Sequence, residues 1–114
     1  LERTAIRSTV MAIIQRRVFY GKVGTANDLV AWANEMYGIL QINSPQLSQR
    51  IFSDYHSGQT DRVVVEFEVD NMGQIDEALE KTMSDPVTQK QFAEVFERLK
   101  PLIDRAEVEQ WNIH

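Results

Sequence analysis

Residues 62–79, RVVVEFEVDNMGQIDEAL, change their hydrophobic period halfway along. Val63, Val65, Phe67 and Val69 alternate with Arg62, Val64, Glu66 and Glu68, which is the period of two expected of a strand with one apolar face. Met72, Ile75, Ala78, Leu79 and Met83 follow at helical spacing. A strand over 61–69 therefore runs directly into a helix, with Asp70 or Asn71 as its cap. The other face of that strand carries two glutamates, an arginine and Val64, and something has to lie against it.

The same reading orders the rest of the chain. MAIIQRRVFY (11–20) is rich in β-branched and aromatic residues and reads as a strand. Met11, Ile13 and Phe19 share one face, and Ile14, Val18 and Tyr20 the other. A strand apolar on both sides belongs in the middle of a sheet. GKVG breaks it. Thr25 with Asp28 resembles a capping box, and Leu29, Ala33, Met36, Tyr37 and Leu40 form one helical stripe with Trp32 beside it. NSP (43–45) ends that helix. Leu47 to Tyr55 is a more polar strand, suited to an outer position and closed by the hairpin HSGQTD. Asp85 and Pro86 start a further helix at cap and first position. Phe92, Val95, Phe96, Leu99 and Ile103 give it a buried stripe, Pro101 marks its end, and AEVEQWNI (106–113) closes the chain as a strand.

The predicted order is β-α-β-β-α(α)-β, an α+β, ferredoxin-like antiparallel sheet with its helices on one face. Residues 11–114 read as a single domain. Residues 1–10, which begin at Leu1 and not at Met, read as an N-terminal arm, a remnant foreign to the native chain, or an extension of the first strand. Water on the second sheet face would demand clean alternation in the first strand, and that is missing. Burying one Ile or Val there stabilises by roughly 1.5–3 kcal/mol, so a twofold pairing of sheets is expected.

Composition narrows the partners. A net charge of −5, from 17 acidic and 12 basic residues, disfavours nucleic acid, whose phosphates need a basic surface. There are no cysteines, hence no disulfide, thiolate nucleophile or thiolate metal site, which fits a cytoplasmic address. No apolar run approaches the roughly 18 residues of a membrane span, and no signal-peptide pattern occurs. No cofactor is implied. His114 is the last residue, and no further histidine completes a metal-ligand set with it and His56.

Over 11–113 the chain resembles the dimeric α/β-barrel superfamily. The stretches carrying the resemblance are RVFYGKVGTANDLVAWANEMY, DRVVVEFEVDNMGQIDEAL and FERLKPLIDRAEVEQWNI. Within it the chain looks most like the NIPSNAP-like branch, with antibiotic-biosynthesis monooxygenases as cousins. The resemblance implies a homodimer whose sheets form a shared barrel, with a pocket between sheet and helices in each subunit. Haem-degrading members carry a helix Asn, Trp and His. Here Trp32 and Asn34 lie on the first helix, but no histidine lies on any predicted helix, which sets this chain apart from them.

Two functions follow as expectations. One is a homodimeric barrel binding a small hydrophobic or aromatic ligand. The alternative is a cofactor-independent monooxygenase or isomerase acting on a small aromatic or polyketide-like substrate. For the enzyme, His56 (two residues from Asp54) or Glu66 is the candidate general base. Arg17 is the candidate anion holder. Glu66 and Glu68 with Arg62, and Arg16 or Arg17 from the neighbouring strand, form either a buried site or an ion-pair network fixing register. Tyr20, Trp32, Tyr37 and Trp111 are aromatic candidates for contacting a flat ligand, although core packing or the dimer seam also accounts for them and is the favoured reading.

Overall fold

A computed structural model describes residues 12–54 and 60–114. His56 and the N-terminal arm lie outside the described residues. Strand β1 (Ile13–Gly21) is followed by helix α1 (Ala26–Asn43) and the hairpin strands β2 (Ser48–Ser53) and β3 (Arg62–Val69). Then come α2 (Gly73–Ser84), α3 (Pro86–Glu97), a short 3₁₀ turn (Lys100–Leu102) and β4 (Ile103–Asn112). The strands lie in the order β2-β3-β1-β4, all neighbours antiparallel. This is the ferredoxin-like arrangement, with β1 central and β2 at an edge as their patterns predict.

Register assigns the faces. Ile13, Gln15, Arg17 and Phe19 lie opposite Val69, Phe67, Val65 and Val63, so the odd-numbered residues of β1 share the helix-facing side with the apolar side of β3. Val63, Val65, Phe67 and Val69 are all buried there, with Phe19, against Leu29, Ala33, Met36 and Leu40 of α1. The first strand is therefore less apolar toward the helices than expected, because Gln15 and Arg17 interrupt Ile13 and Phe19.

Several local expectations are corrected. Thr25 precedes α1 but its hydroxyl does not cap it; that hydroxyl donates to the carbonyls of Lys22 (2.6 Å) and Leu102 (3.0 Å). The free N–H of Ala26 is satisfied instead by Asp61 Oδ1 at 3.0 Å, from a loop distant in sequence. Asp61 adopts φ 67°, a left-handed conformation that aspartate tolerates better than most residues. Gly24, at φ +88°, closes the Lys22–Thr25 turn, where a side chain would be strained. Neither Asp70 nor Asn71 caps α2 through its side chain, and Met72 occupies the cap position. Asp85 does cap α3, accepting from Val87 N at 3.0 Å, with Pro86 just inside. Trp32 is not beside the α1 stripe but in it, 8% exposed. Met83 and Phe96, placed in buried stripes, are 44% exposed each, whereas Thr82 and Thr88 are buried, the Thr88 hydroxyl donating to the Thr82 carbonyl at 2.7 Å. Glu77 and Lys81 pair along α2 at 3.1 Å, and Arg98 bridges to Glu35 of α1 at 2.6 Å.

Candidate functional site

A cavity of about 240 Å³ lies between the sheet and the helices. Its floor is Arg17, Phe19, Gln49, Val65 and Phe67, and α1 supplies Trp32, Ala33, Met36 and Leu40. Ile75, Ala78 and Leu79 of α2 and Phe92 and Phe96 of α3 close the far side, with Leu99. The aromatic walls are ordered pairs. Phe19 meets Trp32 edge to face at 5.4 Å, and Phe92 stacks on Phe96 at 5.9 Å and 11°. Trp32 does not present its indole N–H to the cavity, because it donates to the Val95 carbonyl at 2.8 Å. That bond ties α1 to α3 and fixes the ring. Exposed Phe96 and partly exposed Arg17 mark where the cavity reaches solvent.

Two polar side chains belong to this lining. Gln49 Nε2 reaches the Ala33 carbonyl at 3.5 Å. Arg17 donates from Nε to Gln15 Oε1 at 3.2 Å, and burial among apolar walls pushes its pKa below the usual guanidinium value. Neither a carboxylate nor a histidine lines the cavity among the described residues.

Glu66 lies on the opposite side of the sheet. Its Oε2 accepts from Arg16 Nε at 2.9 Å and Arg16 Nη2 at 2.5 Å, and its Oε1 from Arg50 Nη2 at 3.2 Å. Arg16 also approaches Glu109 at 3.8 Å. Of the two arginines weighed for this cluster, alternation selects Arg16 and sends Arg17 through to the cavity. Glu68 shares the Glu66 face, cross-strand from Ile14 and Ser48, and is exposed. Tyr20 also lies there, with the Arg105 guanidinium 4.2 Å from its ring centre. Trp111, opposite Ile14, is 54% exposed and donates to Glu109 Oε1 at 3.2 Å. Arg62 pairs with Asp54 at 2.6 Å, and that hydrogen bond raises the guanidinium pKa. Tyr37 belongs to neither group; its hydroxyl donates to the Leu47 carbonyl at 2.6 Å and accepts from Gln41 at 2.9 Å.

The structure thus brings Arg17 and Trp32 together in the cavity and separates them from Glu66, Glu68, Tyr20 and Trp111. Sequence reasoning missed Gln49, Phe92 and Phe96 as cavity residues. The signal for Gln49 is its alternation with Arg50, which shares the Glu66 face. Among the described residues no group of three or more acidic or histidine side chains converges as a metal site, and no helix is long and apolar enough to cross a membrane.

No family model matches the chain, and no curated protein matches it in sequence. Solved structures do. It is similar to an uncharacterized NIPSNAP domain protein from Burkholderia xenovorans (TM-score 0.68, 18% identity, 87% of this chain and 91% of that one). It is also similar to two proteins from Agrobacterium tumefaciens. One is a NIPSNAP family protein (TM-score 0.70, 16% identity, 90% and 86% covered). The other is a NIPSNAP family protein with unknown function (TM-score 0.71, 15% identity, 92% and 90% covered). Identity this low speaks to backbone alone, and on that ground the chain has the ferredoxin-like fold of the NIPSNAP domain proteins.

Proposed function

We propose that this chain is a homodimeric barrel protein that binds a small hydrophobic or aromatic molecule between its sheet and its helices. The observation that carries the binding reading is the cavity of about 240 Å³, walled almost wholly by aliphatic and aromatic side chains. An apolar cavity of roughly 150 Å³ is already enough to hold benzene. The space here suits a ring with a short side chain or a medium alkyl chain. The oxygenase or isomerase reading is less favoured, since the cavity has no proton-accepting carboxylate or imidazole among its described lining and Glu66 faces away from it.

Pairing of two copies is supported by the face opposite the helices. Val18 is buried, Val64 is partly buried, and Phe52 and Trp111 are 47% and 54% exposed around the Glu66 cluster. A covering sheet would bury Phe52 and Trp111 and the exposed part of Val64, a large apolar side chain being worth roughly 1.5–3 kcal/mol when fully removed from water. A chain without cysteine also fits the cytoplasmic address expected of it.

Binding is tested by thermal unfolding with octan-1-ol or toluene. A ligand at about 100 times its Kd stabilises the folded state by about 2.7 kcal/mol. Ala33→Trp, which fills the cavity, should abolish that gain. No stabilisation of the wild-type protein by any neutral apolar probe would sink the binding reading. Light scattering across a dilution series tests the pairing, the expected mass being twice 13.2 kDa.

A further inference from the structure

We propose that the ligand is a hydrophobic acid whose carboxylate is held by Arg17 at the sheet wall of the cavity, an inference that rests on the binding reading above. Strand register places Arg17 on the helix-facing side between Val65 and Val108. It is therefore a cation built into a wall where aliphatic residues would otherwise pack. A guanidinium offers five N–H donors, and one hydrogen bond, to the neutral Gln15, accounts for Nε. Arg16, Arg50, Arg62 and Arg98 each hold a carboxylate within 3.2 Å. Arg17 holds none among the described residues. Arg17 is partly withdrawn from water, which costs free energy in the absence of a partner, and its depressed pKa reflects that cost. An anion arriving with the ligand would offset it.

The chemistry of the acid follows from the same geometry. A planar guanidinium matches a carboxylate through two parallel hydrogen bonds. A single cation balances a monoanion, whereas a phosphate dianion would leave a charge uncompensated against apolar walls. The body of the ligand meets the Phe19–Trp32 and Phe92–Phe96 ring pairs, which suits a medium-chain or monocyclic aromatic acid. The chain as a whole carries −5, so its overall field repels anions. A preference for an acid over the matching alcohol must then arise locally.

The probes are octanoate and octan-1-ol, which share one alkyl chain and differ in charge. Calorimetric titration of both into the wild-type protein at neutral pH should show octanoate binding about 10- to 100-fold tighter, as expected for a charge-assisted hydrogen bond. Arg17→Met should bring the two ligands level by weakening octanoate alone. Arg17→Lys, which keeps the charge and loses the fork, should retain part of the preference, and it serves as the reading if the methionine variant does not fold. Equal affinities in the wild-type protein, or an acid preference that survives in Arg17→Met, would overturn the acid proposal and leave the cavity standing. Failure of both probes to bind the wild-type protein would overturn the cavity reading, and this proposal with it.

Discussion

Glu66→Gln separates a wet sheet face from a covered one. The substitution keeps the side-chain shape and removes the charge that both Arg16 and Arg50 engage. The Glu66 side chain is 6% exposed, while those of Arg16 and Arg50 are 39% and 60% exposed in a single chain. If the face is open, the two arginines swing into solvent, and each lost bridge is worth about 0–1 kcal/mol. The total loss then stays near 1 kcal/mol. If a second copy covers the face, the arginines are held without their counter-charge. Removing one partner of a buried pair costs about 3–5 kcal/mol. Urea unfolding over a wide range of protein concentration reads both quantities at once. On the pairing proposal the wild-type midpoint rises with concentration, and the variant loses at least about 3 kcal/mol. A loss near 1 kcal/mol, with a midpoint independent of concentration, would refute the reasoning and leave this face in water.

Three further outcomes are expected. Gly21→Ala would place its new methyl 2.5 Å from Thr25 Oγ1, 2.6 Å from the Asp61 carbonyl oxygen and 2.7 Å from Leu29 Cδ1; because one of these is backbone, denaturation should show a loss of about 1–3 kcal/mol or more. Trp32→Phe keeps an aromatic ring but removes the indole bond to the Val95 carbonyl, which keeps the Arg98 N–H at 3.1 Å, so a loss of about 0.5–1.5 kcal/mol is expected in the same assay. In acid, Asp61 and Asp85 should matter together. Backbone N–H donors at Gly24 and Ala26 hold the Asp61 carboxyl below its usual pKa, and the Asn43 amide and Val87 N–H do so for Asp85. A depressed pKa contributes stability that is complete above the unfolded value, about 3.9, and disappears as pH falls through the folded value. Asp61→Asn with Asp85→Asn should therefore flatten the acid limb of the stability curve below about pH 4. An unchanged limb would show that other carboxylates set it.

Wherever local periodicity decides, the fold was legible. The alternation of Val63, Val65, Phe67 and Val69 fixed β3 and its inner face, and the Asp85–Pro86 pair fixed the start of α3. What failed depends on groups far apart in the chain. The cap of α1 comes from Asp61, 35 residues from Ala26, and no local motif could reveal it. Trp32, expected beside the stripe, sits three residues after Leu29 and four before Met36, which is stripe spacing. Its partner, the Val95 carbonyl, lies 63 residues away. Arg17 was singled out for its charge and grouped with the glutamates of the neighbouring strand. Register instead pairs Arg16 with Glu66 and turns Arg17 inward, a one-residue distinction that composition cannot make. The cavity itself was expected from resemblance and not from pattern, since a void is a property of how helices seat on a sheet.

The positions of the two tryptophans give the protein two optical channels. Trp32, 8% exposed, is in the cavity wall, and Trp111, 54% exposed, is on the far side of the sheet. Emission from the unliganded protein is then a blend of a blue, shielded component and a red, quencher-accessible one. Iodide reaches the second and leaves the first. A molecule entering the cavity perturbs the blue component alone, and anything that covers the sheet protects the red one. Ligand occupancy and self-association can therefore be followed separately in one cuvette, without a label.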